Sequence, residues 1–485
     1  MALRISLGAR RVRLVRQLVT ESLLLSLLAG LCGWALASLA APALVRAVSS
    51  ETNPVRLDLG MNPDVLLFCA GICAVSALFF GVLPAVQATA LRPIAGLHSG
   101  GGLQGRLRMG RLFVGLQVAF AFCLVTGGSG FFLSLRHLVT VDTGFDPDGL
   151  TVLTITNTSQ RNRQLPLLHE IQTRVARLPQ VEGTATAWMP VLSGARRAQR
   201  VGLPGEELSE GEETFYRVSP GYFATLRTPL LSGRDFTFSD NDDEPVPAIV
   251  NRAFARKYFH SDLVLGREFR RDDGVRQQIV GVAADSHFGD LRSGPEPIVY
   301  MPMKPPRAFT LYVRSKLDAV SVAKMVEGET RMLDREVGVR DAASMNVIMG
   351  RTIVREKLLA AIGGTFAVLG AVLAGIGLFG LLNYSVTVRT KEIGIRTALG
   401  AQRLPIYRVV LKDLMGVIVA GTAVGLGGSL ALQRVTQSLL FGIRFADPTV
   451  IGVATMVFST VAAIACWLPA RRAAALDPLI ALRHE

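Results

Sequence analysis

Three consecutive side chains, Asp285, Ser286 and His287, have the residue types of a hydrolytic triad in this 485-residue chain. A serine nucleophile also needs an elbow motif and partners that meet it in space, and the sequence shows neither. The pattern favours a loop that follows a strand at Gln278 to Ala283. No catalytic residue is predicted.

The acidic run from Asp240 to Glu244 has oxygen ligands of the kind that calcium prefers. It lacks the glycine and the closing glutamate of an EF-hand loop, so a solvated turn before a strand at Val246 to Val250 is favoured. The histidines show no H-E-x-x-H or paired spacing, and we predict no metal site.

Phosphate-binding motifs are the next candidates. The chain contains no G-x-x-x-x-G-K-[ST] sequence, so the backbone cradle and the lysine that hold ATP phosphates are missing from these residues. The nearest glycine-rich loop, Gly100 to Gly102 with Gly105, follows no predicted strand, and we predict a flexible linker there. The sequence therefore predicts no cofactor and no enzyme activity.

Two basic segments, Arg4 to Arg16 and Arg396 to Lys412, stand at the entry to apolar stretches. Ordinary anchoring of positive charge at a membrane surface would explain them. The alternative is a coupling helix that docks on a partner subunit, and a shared Gly-Ala pair favours it because topology alone needs only charge. Both interpretations stay open for the candidate coupling residues, which are Arg4, Gly8, Ala9, Arg11, Arg396, Gly400, Ala401 and Arg403.

The composition indicates a membrane protein. Half of the residues are hydrophobic and only 19% are charged, against about 25% in soluble proteins. The net charge of +14 arises beside apolar spans, which disfavours nucleic acid as the partner. All five cysteines fall in apolar stretches without the spacing of a zinc or disulfide framework.

Uncharged runs of about 20 residues, the length that crosses a bilayer as a helix, occur six times. Small residues spaced four apart, Ala29 with Gly33 and Gly421 with Gly425, suit close helix packing, and small residues that face lipid are an equally good explanation of either pair. The six predicted spans are Ser22 to Val45, Val65 to Ala90, Leu112 to Leu135, Leu358 to Val388, Leu414 to Gln433 and Thr449 to Ala470.

Arginine and lysine are concentrated before the first span, between the second and third, between the fourth and fifth, and after the last. The positive-inside rule therefore places both termini in the cytoplasm and residues 136–357 outside. That polar block has periodic helices and short strands, which predicts an α+β domain.

An internal repeat relates the two ends of the chain. Leu3 to Ala9 matches Ile395 to Ala401, and Leu83-Pro84-Ala85 matches Leu468-Pro469-Ala470. Each copy is a basic segment, two spans and a proline-marked end. The second copy is preceded by a span, the polar block and another span, whereas the first begins at Met1. We therefore hypothesise a truncated or misassigned start, which in-frame upstream DNA would test.

At Lys391 to Ala401 the sequence resembles the cytoplasmic loop of MacB/FtsX-type ABC transporter permeases. Segments of the polar block, including Val218 to Phe223 and Ser232 to Phe236, resemble the MacB-type periplasmic core domain. The tandem arrangement without an ATPase domain resembles duplicated orphan permeases, from which the chain departs by lacking the first half of its first unit.

The resemblance implies an α-helical membrane protein with six transmembrane helices and an inserted α+β extracytoplasmic domain in the bacterial inner membrane. Its implied partners are a separate ABC ATPase and a periplasmic protein, and its implied function is export or mechanotransmission. An FtsX-like regulator of a cell-wall hydrolase is the alternative. The predicted parts are a first FtsX-like unit at 1–98, a linker at 99–111, a span at 112–135, the core domain at 136–357 and a three-span domain at 358–485.

Overall fold

The computed structural model describes residues 11–48, 63–90, 101–157, 161–240, 243–304, 307–388, 403–436, 440, 442 and 446–474. The chain divides into two compact units. We call Met1–Arg136 with Glu356–Glu485 the membrane unit and His137–Arg355 the inserted domain. The predicted limits of the core domain, 136 and 357, lie close to those of the inserted domain.

The helices are numbered in chain order: α1 (Arg11–Val48), α2 (Pro63–Ala90), α3 (Gly101–Val139), α4 (Arg161–Ala176), α5 (Tyr222–Leu226), α6 (Arg252–Phe259), α7 (Ala319–Leu333), α8 (Met345–Thr352), α9 (Val354–Val388), α10 (Arg403–Thr436) and α11 (Pro448–Ala474). The strands are β1 (Leu150–Asn157), β2 (Val181–Ala187), β3 (Arg197–Gly202), β4 (Leu208–Val218), β5 (Leu230–Gly233), β6 (Val246–Asn251), β7 (Glu268–Arg271), β8 (Arg276–Ala283), β9 (Ile298–Pro302), β10 (Ala308–Ser315) and β11 (Val337–Ser344).

Five helices of the described residues are long and apolar enough to cross a membrane, and they coincide with five of the six predicted spans. The sixth predicted span, Val65 to Ala90, falls on α2, where the apolar helix assigned by this criterion is the shorter Pro63–Leu78. That span stays a prediction. The five are Val19–Arg46, Met109–Val139, Val354–Val388, Leu414–Gln433 and Pro448–Trp467.

The predicted flexible linker at 99–111 is wrong from Gly101 onward, because α3 begins there and runs without a break into the predicted span at 112–135. The prediction relied on the low helix propensity of glycine. Several glycines weaken a helix in isolation, but here they extend a helix that the apolar span already nucleates. The basic residues Arg106, Arg108 and Arg111 thus continue the membrane helix.

One apolar core holds four helices of the membrane unit together. It joins Val118 and Phe122 of α3, Leu378 of α9, Leu414 of α10 and Phe458 of α11, all nearly fully buried. The rings of Phe122 and Phe458 meet edge to face with centroids 6.0 Å apart, a favoured aromatic geometry. Apolar side chains elsewhere on these helices, such as Phe366 and Met456, are exposed, as expected of surfaces that face lipid.

The inserted domain begins and ends in an α/β lobe, which comprises β1, α4, β2, β10, α7 and β11. The strand order is β11-β1-β10-β2, and every neighbouring pair is antiparallel. Two β-α-β units interleaved in this order form a ferredoxin-like arrangement. Both helices cover one face of the sheet, because their apolar residues recur every three to four positions: Leu168, Ile171 and Val175 on α4, and Val322 and Val326 on α7.

A second lobe is inserted between β2 and β10. Its strands follow the order β4-β3-β7-β8-β6-β9, and β9 also pairs with β4. Because this last pairing closes the ring, we call it the barrel lobe. Its core includes Phe215 of β4, Phe254 of α6 and Phe269 of β7. Closure removes the sheet edges that would otherwise be exposed.

The two lobes meet in a buried aromatic cluster of Tyr216, Tyr222, Tyr300 and Tyr312, with Phe223 and Phe288. Tyr312 comes from the α/β lobe, whereas Tyr216 and Tyr300 come from the barrel. The hydroxyl of Tyr312 accepts a hydrogen bond from the Val191 backbone N–H at 2.9 Å, and that of Tyr216 donates to the Met189 carbonyl. The hydroxyls of Tyr312 and Tyr216 therefore have hydrogen-bond partners although both rings are buried.

This cluster predicts alkaline unfolding. Burial raises the pKa of Tyr300 and of Tyr312 from 10.0 to about 12. The folded state therefore holds protons that the unfolded state loses, so stability is complete below pH 10 and falls as the pH rises toward 12. Tyr312→Phe removes one ionisable group, so the free energy of unfolding should fall less steeply with pH. Near neutrality this variant should be less stable by about 1 kcal/mol, because a buried hydrogen bond is lost.

The measurement is urea unfolding at a series of alkaline pH values, with Tyr384→Phe in the membrane unit as the control. A decline in Tyr312→Phe as steep as in the parent would contradict the assignment.

Candidate functional site at the base of the inserted domain

The first and last strands of the inserted domain are neighbours. β1 and β11 are antiparallel, and Thr151 faces Ser344 at the end of the pair. The start of β1 and the end of β11 therefore lie at the same edge of the sheet. Ten residues, 140–149, connect α3 to the start of β1, and a short helix, α8, follows the end of β11 on the α9 side. Both connecting segments thus leave the domain together.

Five side chains meet at this edge, and we call Asp146, Asp148, Arg227, Arg314 and Asn346 the base cluster. Arg314 is its centre and is only 4% exposed. Its guanidinium donates to the Thr225 carbonyl at 2.6 Å, the Asp148 carbonyl at 2.5 Å and the Asp146 carbonyl at 2.7 Å. One buried cation therefore fixes the segment that arrives from α3 against β10 and α5.

The carboxylate of Asp146 adds an ionic layer. It lies 2.7 Å from Arg227 Nη1 and 3.4 Å from Arg314 Nη1. Burial alone would raise the pKa of Asp146, but the backbone hydrogen bond from Asp148 and the two guanidinium groups outweigh it and hold that pKa below its ordinary value. Arg227 also reaches Glu182 at 3.3 Å. The Asp146 carboxylate is therefore ionised at neutral pH.

A side-chain hydrogen bond joins the two connecting segments directly. Asn346 Nδ2, on α8, donates to Asp148 Oδ1 at 2.9 Å. Beside it lies an open cleft of about 580 Å³, whose lining includes Lys316, Asp318 and Ser344. The cleft carries charges of both signs, and the described residues contain no group of three metal-ligating side chains.

On the membrane side, the helices that lead to these segments pack closely. A Cβ atom on Gly128 of α3 would lie 2.6 Å from the carbonyl oxygen of Gly363 on α9. Gln117 Nε2 donates to the Leu373 carbonyl at 2.7 Å. Backbones that approach this closely leave no room for side chains between them. α3 and α9 therefore form a tight pair within the membrane unit.

The predicted packing pair on α10 also lies against α3. A Cβ on Gly421 would be 2.8 Å from the Gly115 carbonyl oxygen, and one on Gly425 would be 2.6 Å from that of Ala119. The thiol of Cys123 donates to the Gly425 carbonyl at 3.0 Å. α3 is thus held on two sides by glycine contacts.

The predicted pair on α1 behaves differently. Ala29 and Gly33 are exposed, and no described atom lies within 4 Å of a Cβ built on Gly33. The close approach to α2 occurs at Gly30, where a Cβ would be 2.7 Å from Cys73 Sγ. The packing role of Ala29 and Gly33 stays a prediction.

Of the predicted coupling residues, Arg4, Gly8, Ala9, Arg396, Gly400 and Ala401 lie outside the described residues. Arg11 and Arg403, which the repeat aligns, are the first residues of α1 and α10 as described. Each helix runs from this basic start into an apolar span. The coupling function of all eight stays a prediction.

The remaining sequence candidates have structural partners. Asp285 accepts from the Ala253 backbone N–H at 2.7 Å at the start of α6, and buried Ser286 lies 3.4 Å from the Tyr300 hydroxyl. They are part of a loop and do not form a triad. Asp240 is bound by Arg234 at 2.7 Å and 2.9 Å, so it closes a turn, as predicted.

The base cluster was missed from the sequence. The available signal was an arginine, Arg314, directly after the apolar run Phe309 to Val313. A charge at the end of a buried strand is costly unless it is paired. Its partners Thr225 and Asp146 are 89 and 168 residues away in sequence, which no local pattern reveals.

Two family models match the chain. The MacB-like periplasmic core domain matches residues 116–328. The FtsX-like permease C-terminal domain matches two separate segments, residues 1–93 and 364–478, which are the segments that contain the internal repeat.

Known proteins also match this chain. The macrolide export ATP-binding/permease protein MacB of Wolinella succinogenes is 27% identical over 300 residues, or 56% of this chain and 44% of that protein. The MacB of Bradyrhizobium diazoefficiens is 32% identical over 280 residues, or 55% and 43%. The chain therefore spans less than half the length of these relatives.

Among solved structures, the periplasmic region of MacB from Actinobacillus actinomycetemcomitans is 11% identical, with a TM-score of 0.30, over 44% of this chain and 95% of that one. The two family models, five apolar helices and the inserted domain agree on a multi-pass inner-membrane protein with a periplasmic domain. The chain belongs to the MacB/FtsX-type ABC transporter permeases.

Proposed function

We propose that the chain is the permease subunit of an ABC-type system in which a separate cytoplasmic ATPase drives the inserted domain, for export or mechanotransmission. The observation that carries the proposal is the path of the chain. The paired strands β1 and β11 are connected by short segments to α3 and α9. These two helices pack against each other at Gly128 and Gly363. A displacement of this helix pair reaches the domain through two adjacent segments.

ATP hydrolysis is assigned to another protein because these residues contain no phosphate-binding loop. The relatives are named for both ATP binding and permease function, and this chain matches the model of the FtsX-like permease C-terminal domain. The basic segments before α1 and α10 are the proposed docking sites, since their charge lies on the side that the positive-inside rule assigns to the cytoplasm. Both termini would then be cytoplasmic.

In this proposal the chain's own residues perform three tasks. The docking segments receive the motion of the ATPase, the glycine contacts of α3 keep α9 and α10 in register with it, and Arg314 ties the connecting segment to β10. No side chain carries a reaction. The cargo or the periplasmic partner would be selected by the inserted domain.

Copurification with an ATPase tests the docking segment at α10. The double variant Arg396→Glu with Gly400→Trp reverses a charge and fills a glycine site in the loop. We expect at least about a tenfold loss of bound ATPase, because a loss of 1.4 kcal/mol in binding is a factor of ten. Retention is measured by quantitative mass spectrometry after purification in mild detergent.

The matched control is Arg340→Glu, a charge reversal at an exposed position of β11 in the inserted domain. It should retain the ATPase at the parent level. Failure of the parent chain to bind any ATPase, or equal retention by the double variant, would count against the proposal.

A further inference from the structure

One mouth of the barrel lobe is lined by arginine around a single tryptophan. We call Trp188, Arg197, Gln199, Arg217 and Arg271 the arginine mouth. The strand register places these residues. Phe215 and Val201 belong to the barrel core, and side chains two apart on a strand share a face. The inward face of the barrel therefore carries Arg217 on β4, Arg197 and Gln199 on β3, and Arg271 on β7, where Phe269 shares that face.

The burial of this mouth is unusual for its charge. Arg217 is 3% exposed and Arg271 is 8% exposed, whereas Arg197 is exposed. Arginine is almost never buried unless it is paired, and Arg217 Nη1 donates to the Pro302 carbonyl at 2.6 Å. Two guanidinium groups are thus buried at this mouth and a third is exposed beside them.

Trp188 joins the entrance to the interior. The guanidinium carbon of Arg197 lies 5.3 Å from the centre of its ring system, and that of Arg217 lies 5.7 Å away. These are cation–π distances. The indole thus holds two like charges close together, in an arrangement that a shared anion would stabilise.

The charges of the mouth do not balance. Asp273 accepts from Arg271 at 3.1 Å and 2.7 Å, and this pair is neutral together. Asp272 is bonded to Gln199 at 3.2 Å. Among the described residues, Arg197 makes no ion pair. Burial, and then the charges of Arg271 and Arg197, lower the pKa of Arg217 to about 10. The surroundings of Arg217 therefore disfavour the positive charge of its guanidinium.

Buried polar atoms beside these arginines are also unsatisfied. Trp188 Nε1 and Gln199 Oε1 have no hydrogen-bond partner among the described residues, although both atoms are buried. Such atoms normally have a partner in the protein, water or a ligand. The indole N–H is a donor of the kind that an oxyanion accepts.

We propose that the arginine mouth binds a small oxyanion, a phosphate or a carboxylate group, between Arg197 and Arg217 against the edge of Trp188. Guanidinium groups match both anions through paired N–H donors. The burial of Arg217 admits only a small anionic group, so the ligand is either a free anion or the charged end of a solute.

Trp188 also supplies the measurement. The chain has three tryptophans, and the other two, Trp34 and Trp467, lie on α1 and α11 and are exposed. In full-length protein with Trp34→Phe and Trp467→Phe, fluorescence reports on Trp188 alone. Potassium phosphate and sodium succinate are titrated separately, with sodium chloride keeping the ionic strength constant.

We expect a saturable change in Trp188 fluorescence with at least one anion. Saturation with phosphate alone assigns a phosphate group, and saturation with succinate alone assigns a carboxylate. Arg197→Gln should weaken binding by about tenfold or more, because it removes a charged hydrogen-bond donor from the anion. Arg197 is exposed, so this variant should fold.

The matched control is Arg200→Gln, which removes the same charge from the outward face of β3, where Arg200 is exposed. Its affinity should equal that of the parent. The proposal is overturned if neither anion gives saturation, or if Arg197→Gln and Arg200→Gln bind equally well. The experiment needs no ATPase, so its outcome is independent of the transport proposal.

Discussion

Replacing Arg314 with methionine is expected to destabilise the inserted domain by about 3–5 kcal/mol, the range for removing one partner of a buried charged network. The methionine fills similar space but leaves three carbonyl groups, those of Thr225, Asp146 and Asp148, without their donor. The Asp146 carboxylate also loses one of its two cations. Urea unfolding followed by Trp188 fluorescence, in the single-tryptophan background, measures the change.

Two variants make this result specific. Arg340→Met removes an exposed arginine from β11 of the same lobe and should change the free energy of unfolding by less than about 0.5 kcal/mol. Arg314→Lys keeps the charge but loses the planar guanidinium, so its loss of unfolding free energy should lie between those of Arg314→Met and Arg340→Met. A free energy for Arg314→Met within about 0.5 kcal/mol of the parent would show that the base cluster does not stabilise the domain.

Replacing Gly128 with leucine is expected to separate α3 from α9. A Cβ at this position would lie 2.6 Å from the Gly363 carbonyl oxygen and 2.8 Å from Ala367 Cβ, so even the first added atom has no space. Overpacking of a core typically costs about 1–3 kcal/mol, and the whole leucine side chain should reach at least the upper end. The membrane unit should open more readily.

Buried Cys466 on α11 provides the measurement. With Cys32, Cys69, Cys73 and Cys123 changed to serine, the rate of maleimide labelling of Cys466 across a denaturant series gives the free energy of opening. The control is Gly127→Leu, one residue earlier, where a Cβ meets no described atom within 4 Å. Equal labelling of the two variants would contradict the close approach of α3 and α9.

Much of the membrane unit could be predicted because its signals are local. An uncharged run of about 20 residues is long enough to cross a bilayer whatever its neighbours are, and five such spans are present as helices. The same holds for strands such as Val246 to Val250, whose apolar residues are contiguous. The flexible linker at 99–111 failed because composition describes isolated segments, whereas Gly101 to Gly110 continue a helix that the adjoining span stabilises.

The sites depended on contacts between distant residues, and they could not be predicted. Closure of the barrel rests on the pairing of β4 with β9, in which Phe215 faces Val299, and without it Arg217 and Arg271 share no enclosed space. The same limit explains Gly30: a small-residue spacing is compatible with several helix faces, and only the position of Cys73 selects one.

The pairing of β1 with β11 has a mechanical consequence. Both connecting segments attach at the Thr151 and Ser344 end of an antiparallel ladder. Forces that pull the segment before β1 away from the segment after β11 would load this ladder one rung at a time and unzip it from that end. A common displacement of both segments loads no rung. In the proposed function, the ladder would therefore withstand joint movement of the two segments and open when they are pulled apart.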